Sequence, residues 1–211
     1  YTNKFYGGGV STGGDITIND YTSLTQNILQ ILSYNNQWGA HSLDVIAAHE
    51  SNEFKQTFAS AAKGLQISPF LLDLDNFQSS LGLPSGSTSG YTIESYFGQL
   101  NYNYDQKYYF TGSIRTDGSS RFVNEKWGTF GSIGFSWVAS NEDFLQNIDI
   151  IEYLKLKTSY GIAGDQAGVG FFSGYNTYNG GNLGGSISLA PGAVGNPDLT
   201  WEESEQFQTG A

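Results

Sequence analysis

Along much of the chain, apolar and polar residues alternate with a period of two in segments of about ten residues, the pattern of strands that show each face to a different environment. From Tyr96 to Tyr104 one face carries Tyr96, Gly98, Leu100, Tyr102 and Tyr104, and the other carries Phe97, Gln99, Asn101 and Asn103. After Asp105-Gln106-Lys107 a second strand sets Tyr108, Phe110, Gly112 and Ile114 against Thr111, Ser113, Arg115 and Asp117, so the two read as a tight hairpin. Further segments set Thr129, Gly131, Ile133, Phe135 and Trp137 against Ser132, Gly134 and Ser136, then Leu154, Leu156, Tyr160 and Ile162 against Lys155, Lys157, Ser159 and Gly161. A last one starts at Trp201, with Glu203 and Glu205 falling on its otherwise apolar side. Near the start, L-T-Q-N-I-L-Q-I-L-S-Y also fits a helical face through Leu24, Ile28, Ile31 and Leu32, but the turn-like N-N-Q-W-G after it favours a hairpin. Strands are therefore expected at about 24–34, 40–50, 91–104, 108–117, 128–139, 154–162 and 199–210.

The connections differ in kind. Asn35–Gly39 and Asp105–Lys107 are short, whereas 51–90, 118–127 and 163–198 are long and rich in Gly, Ser and Asn. Asn141–Glu152 departs from this parity, being long enough for a helical turn through Glu142, Asp143, Phe144 and Leu145. Short turns at one end and long loops at the other suit an antiparallel barrel. Its apolar faces hold Tyr, Trp, Phe and Gly with aromatics near strand ends, as interfacial girdles require, where a soluble sandwich would pack Val, Ile and Leu. The expected fold is all-β, an antiparallel transmembrane β-barrel segment, with 1–211 part of one domain. Seven strands cannot enclose a wide lumen, and open edges are not tolerated in lipid, so the rest of the barrel is expected outside this sequence.

Composition narrows the function classes. A net charge of -11 with nine Lys plus Arg leaves no basic stripe for nucleic acid and little attraction to an anionic membrane surface. Without cysteine there is no disulfide framework, thiolate nucleophile or thiolate metal site. No run approaches the roughly 18 apolar residues of a membrane helix. The first residues lack the regions of a signal peptide, methionine is absent, and the chain stops at Q-T-G-A in mid-strand, which reads as an interior piece of a longer protein.

The stretch Y-F-G-Q-L-N-Y-N-Y-D-Q-K-Y-Y-F-T-G-S-I-R-T-D-G-S-S-R-F, followed by K-W-G-T-F-G-S-I-G-F-S-W, N-E-D-F-L, L-K-L-K-T-S-Y-G-I-A-G-D-Q and G-N-P-D-L-T-W-E-E-S-E-Q-F-Q-T-G, resembles the SusC/RagA family of TonB-dependent outer-membrane transporters. The likeness runs from Tyr96 to Gly210, with 171–194 unmatched. It implies a barrel of about 22 strands around a plug. It also implies a SusD-like surface lipoprotein over the outer mouth, contact with outer-membrane lipid, and import of a glycan or peptide driven through TonB. Plug and TonB-contacting segment are not present in this stretch. The family-motif positions are Arg115, Asp117, Gly118, Ser119, Ser120, Arg121, Phe122, Trp127, Gly128, Asn196, Pro197, Leu199, Trp201 and Glu202.

Each candidate site has a structural reading beside the functional one. Arg115 and Asp117 share a face at i, i+2, close enough for an ion pair that either touches substrate or plug, or pins a strand-end turn. Gly118 allows a positive φ there, and Ser119 and Ser120 can bond backbone groups in the turn that returns Arg121 and Phe122. Asp73 and Asp75 could suggest a hard cation or a glycosidase pair, but a solvated loop accounts for them better. His41 and His49 lie about 26 Å apart on an extended strand and cannot share a metal. The loop F-F-S-G-Y-N-T-Y-N-G-G-N-L-G-G presents Phe171, Phe172, Tyr175 and Tyr178 among Asn and Gly, suited either to stacking on sugar rings or gripping a peptide, or to packing against neighbours or the lipoprotein. No G-x-S-x-G elbow, dinucleotide fingerprint or paired inward carboxylates point to an enzyme, a cofactor or a metal. The competing expectation from another class is a secreted carbohydrate-binding β-sandwich.

Overall fold

The computed structural model describes residues 1–5, 7–145 and 152–211. Its strands are β1 (Asp15–Trp38), β2 (His41–Gln66), β3 (Phe77–Ser80), β4 (Ser85–Tyr104), β5 (Tyr108–Ser119), β6 (Trp127–Val138), β7 (Lys155–Asp165), β8 (Tyr178–Leu183), β9 (Ser186–Pro191) and β10 (Glu202–Gly210). One eight-stranded sheet has the order β1-β2-β4-β5-β6-β7-β10 with β3 added to β2, and β8 and β9 form a separate hairpin. The chain divides into two compact units, Tyr1–Thr25 with Phe54–Gly90, and Gln26–Glu53 with Tyr91–Ala211.

In the larger unit, β4 to β7 and β10 pair antiparallel in a register that keeps like with like. Tyr96, Gly98, Leu100 and Tyr102 lie opposite Thr116, Ile114, Gly112 and Phe110, which lie opposite Thr129, Gly131, Ile133 and Phe135. Ile133, Phe135 and Trp137 continue to Tyr160, Thr158 and Leu156, and Tyr160 to Phe207. This apolar face is open: Ile114 is 60% exposed, Ile133 52% and Phe207 69%. Rings run along one end of it, Trp38 to His41 at 5.6 Å, His41 to Tyr104 at 4.9 Å, Tyr104 to Tyr108 at 6.3 Å and Tyr108 to Trp137 at 6.5 Å. Tyr96 and Trp127 meet at 6.2 Å toward the other end. The opposite face is polar, with the Ser113 and Ser132 hydroxyls 2.7 Å apart and Gln206 and Gln208 across from Gly161 and Ser159.

The short connections are built by left-handed backbone. Gly39 (φ 57) turns β1 into β2, and Asp105 (φ 52) and Gln106 (φ 53) turn β4 into β5, where the Asn103 Oδ1 accepts the Gln106 N–H at 2.9 Å. After β6, a 3-10 turn over Ala139–Asn141 is followed by a Leu145 N–H to Glu142 C=O bond of 2.9 Å. The expected helical turn through Glu142–Leu145 is thus a single tight turn, and the remainder of that connection, 146–151, lies outside the described residues.

The smaller unit corrects the expectation of a loop over 51–90. Phe54–Gln66 and Ser85–Gly90 are strand, and Phe77–Ser80 pairs with the end of β2. The alternation is hidden in 51–66 by Ala59, Ala61 and Ala62 among Lys55 and Lys63, and in 85–90 by the run S-G-S-T-S-G. Those glycines are strand residues because the backbones approach closely: a Cβ on Gly86 would lie 3.0 Å from the Phe58 carbonyl oxygen, and one on Gly90 would strike that of Phe54. The strands also outrun their expected bounds elsewhere, β1 reaching Asp15 and β7 Asp165, while the 163–198 segment contains β8 and β9. Phe77, 1% exposed, anchors this unit with the Tyr1 ring edge-on at 6.5 Å. The Asn76 amide bonds the Ser68 and Leu71 carbonyls, both at 2.7 Å.

Candidate functional site

The T-D-G-S-S-R-F stretch ends β5. Pairing of Ser95 with Asp117 and of Phe97 with Arg115 puts four side chains in one patch of the polar face. Arg115 donates from Nε to both Asp117 oxygens at 2.7 and 2.9 Å, and from Nη2 to Glu50 Oε2 at 3.1 Å and Ser95 Oγ at 3.0 Å. Its guanidinium lies 5.2 Å from the Phe97 ring centre. Asp117 is 8% exposed and Ser95 1%. Two carboxylates flank one guanidinium, so the cluster carries a net negative charge. Glu50, Ser95 and Phe97 were not singled out by sequence reasoning, because only the register across three strands brings them together.

Gly118 does not make the positive-φ turn expected of it; it is a β5 residue covered by the Trp127 indole, whose atoms would lie 2.8 Å from an added Cβ. The turn is made by the serines instead. Ser120 exchanges backbone and side-chain bonds with Thr92, its N–H to the Thr92 C=O at 3.0 Å and its Oγ accepting the Thr92 N–H at 2.9 Å. The Ser119 hydroxyl donates to Gln166 Oε1 and accepts the Arg121 N–H at 3.2 Å.

Beyond the turn, motif residues some 75 positions apart meet. Phe122, 0% exposed, packs on Trp201 at 5.3 Å, and Phe130 meets the same indole edge-on at 5.5 Å. The Trp201 Nε1–H donates to the Lys126 carbonyl at 3.1 Å, and a Cβ on Gly128 would lie 2.7 Å from the indole. The Asn124 side chain donates to Asp198 Oδ1 at 3.0 Å and its N–H to the Pro197 C=O at 3.3 Å. The Leu199 N–H bonds the Asn196 C=O at 3.4 Å. Glu202 stands apart from this knot, opposite Asp165 across β7 and β10.

Arg121 is 9% exposed, with its guanidinium 4.2 Å from the Tyr91 ring centre and 5.1 Å from that of Phe171. Its Nη1 donates to the Gln166 carbonyl at 3.1 Å and to the Val169 carbonyl. The four loop aromatics do not form one cluster. Phe171 packs on Tyr91 at 5.7 Å, and the Tyr175 hydroxyl donates to the Ser120 C=O at 3.1 Å. Phe172 is 50% exposed and Tyr178, in β8, 65%.

Other candidates are dispersed. Asp73 and Asp75 are exposed, the first at the N-cap of the 3-10 turn Leu74–Asn76 and the second within it. His41 Nδ1 lies 2.7 Å from the Tyr102 hydroxyl, and His49 lies between Gln30 Oε1 at 3.2 Å and Glu94 Oε1 at 3.3 Å. No group of three or more His, Cys, Asp or Glu set to hold a metal ion occurs among the described residues. At the short-turn end, Glu142 accepts the Tyr108 O–H at 2.6 Å and the Trp137 indole N–H at 3.0 Å, with Lys107 at 3.5 Å. Those donors, Tyr108 first, hold its carboxyl below the usual glutamate range, and the Asp105 hydrogen bond raises the Lys107 ammonium.

Residues 1–211 match the family model described as TonB dependent receptor-like, beta-barrel. The chain is 33% identical over 176 residues to TonB-dependent receptor P39 of Formosa agariphila, covering 82% of this chain and 15% of that protein. It is 31% identical over 167 residues to TonB-dependent receptor SusC of Bacteroides thetaiotaomicron, covering 79% of this chain and 16% of that one. It is also similar to a solved structure of the RagAB peptide transporter, with a TM-score of 0.83, 26% identity, and coverage of 92% of this chain and 22% of that one. The chain thus spans less than a quarter of the length of these relatives.

Proposed function

The chain belongs to the TonB-dependent receptor-like β-barrel family, and on that premise we propose that it is a wall segment of an outer-membrane importer, resembling SusC and RagA, that takes up glycans or peptides. The observation that carries this reading is the two-faced sheet. Ile114, Ile133 and Phe207 lie open on a face bordered by rings at both ends, an arrangement that lipid stabilises and water does not. The polar face then lines the lumen, and 1–211 forms part of a single barrel of about 22 strands.

In this reading the chain's residues act as wall and mouth. The hydroxyl and amide groups of Thr111, Ser113, Ser132, Ser159 and Gln206 face the passage and exchange hydrogen bonds with water, plug or cargo. The Arg115, Asp117, Glu50 and Ser95 network holds three strands in register where β5 ends. The long connections face outside, where exposed Phe172 and Tyr178 offer ring faces to the cargo or to a SusD-like lipoprotein. Energy coupling through TonB belongs to segments outside this chain.

The test is the fate of the full-length parent protein. It is expected in the outer-membrane fraction, released only by detergent, and its deletion is expected to abolish growth on one polymeric glycan or peptide source while sparing growth on the monomers. A parent that dissolves in buffer would overturn the import reading in favour of a soluble binding module.

A further inference from the structure

The segment joining β7 to β10 contains no charged residue between Asp165 and Asp198, yet a cation from another connection is buried against its root. A guanidinium that is nine-tenths buried usually lies against a carboxylate, because desolvating the charge is costly. Among the described residues no carboxylate pairs with Arg121, and its Nε has no partner. Its charge is met by two backbone carbonyls, of Gln166 and Val169, and by the faces of Tyr91 and Phe171. Three of these four groups, Gln166, Val169 and Phe171, belong to the first residues after β7; the fourth is a residue of β4.

We propose that Arg121 is the positioning residue of the 163–198 loop, fixing the direction of Phe172 at the mouth while leaving the β8–β9 hairpin free. This inference rests on the import reading only for its functional meaning. Phe172 lies between two fastened residues: Phe171, packed against both Arg121 and Tyr91, and Tyr175, bonded to the Ser120 carbonyl. The Tyr175 N–H returns to the Phe172 carbonyl at 2.9 Å, and the Asn196 N–H bonds the Ser173 carbonyl at 2.9 Å, closing the base of the loop. Tyr178, Ile187 and Leu189 stand beyond that base, 65%, 93% and 71% exposed on a two-stranded hairpin. The contacts use the plane of the guanidinium, whose Nη1 bonds both carbonyls while its face lies against the two rings. A lysine at the same place has no flat face to set against the Tyr91 and Phe171 rings, and its freely rotating ammonium does not fix two N–H groups as the planar Nη1 does for the two carbonyls. Of the four aromatic residues, Phe171 and Tyr175 therefore serve the loop, Phe172 is the oriented contact, and Tyr178 is carried on the separate, exposed β8–β9 hairpin.

The test uses the full-length transporter in detergent, carrying a single spin-labelled cysteine at Phe172→Cys or at Leu183→Cys, combined with Arg121→Gln, Arg121→Lys or Phe171→Leu. Arg121→Gln is expected to turn a restricted spectrum at position 172 into a mobile one and to speed exchange of the Val169 and Tyr175 amides at least about tenfold. The spectrum at 183 and the exchange of β5–β6 amides stay unchanged. Arg121→Lys does not restore the restricted spectrum, and Phe171→Leu, which keeps the charge, gives an intermediate one and serves if Arg121→Gln fails to assemble. An unchanged spectrum at 172 in an assembled Arg121→Gln or Phe171→Leu protein overturns the proposal, as does full restoration by lysine. A parent that is not an outer-membrane protein would instead remove the import reading and leave the loop result standing.

Discussion

A lysine at position 133 and one at position 132 differ by a single residue along β6 and should differ greatly in cost. Ile133 lies on the apolar face six residues from Trp127 and four from Trp137. At about 3.3 Å per residue and a tilt of about 40°, it sits roughly 15 Å and 10 Å from the two aromatic borders measured along the membrane normal. A lysine stem reaches only about 6 Å, so it does not bring the ammonium to the interface. A lysine at that depth on the lipid side costs about 2–4 kcal/mol. Ser132 lies at nearly the same height on the polar face, where its hydroxyl meets Ser113 at 2.7 Å. Losing that bond costs about 1 kcal/mol, and the new ammonium remains in a wet lumen. Urea unfolding of the full-length protein in lipid vesicles, followed by the heat-dependent gel mobility of the folded barrel, measures both. Ile133→Lys is expected to lower stability by about 1–3 kcal/mol more than Ser132→Lys, a ratio of roughly 5 to 150 in the unfolding constant. Equal costs, or a greater cost at 132, would refute the assignment of the two faces.

Three further outcomes follow from the same geometry. Phe122→Ala removes a 0% exposed ring from the Trp201 contact and should destabilise by about 3–5 kcal/mol, read as a lowered urea midpoint with the slope unchanged. Gly118→Val sets a branched side chain where Trp127 leaves 2.8 Å, and assembled barrel in the membrane fraction should fall severalfold, whereas Gly112→Val, with its nearest contact at 3.6 Å, should assemble normally. The lowered Glu142 carboxyl contributes stability at pH values above the ordinary glutamate range and loses it as pH falls through the depressed value. Trp137 fluorescence should accordingly change on acidification below that range, and Glu142→Gln should abolish the change.

Much of the sheet was legible because alternation is strong where the two faces differ most in polarity: the Tyr96–Tyr104 and Tyr108–Asp117 patterns mark the register that pairs Tyr104 with Tyr108. The strand over 54–66 was not legible, since alanines and lysines blur its two faces, and S-G-S-T-S-G reads as loop although the Gly86 and Gly90 backbones press against the neighbouring strand. The Arg115 and Asp117 ion pair could be read from spacing alone, because both residues lie on one strand. The partners of Arg121 could not. Two are backbone carbonyls some 45 residues away, and a carbonyl has no signature in a sequence. Gly118 misled for a related reason: glycine permits a turn and equally permits a flat indole to lie over it, and only the position of Trp127 decides between them.

The most direct test of the two-faced wall is a cysteine scan of β5 from Tyr108 to Ser119 in the full-length protein, freed of any other cysteine and embedded in lipid nanodiscs. Each variant is treated with a charged, water-soluble maleimide, and labelling is read by mass. A barrel wall predicts a period of two, with Thr111 and Ser113 positions labelled and Phe110, Gly112 and Ile114 positions protected. Equal labelling of both sets, or protection of the polar set, would contradict it.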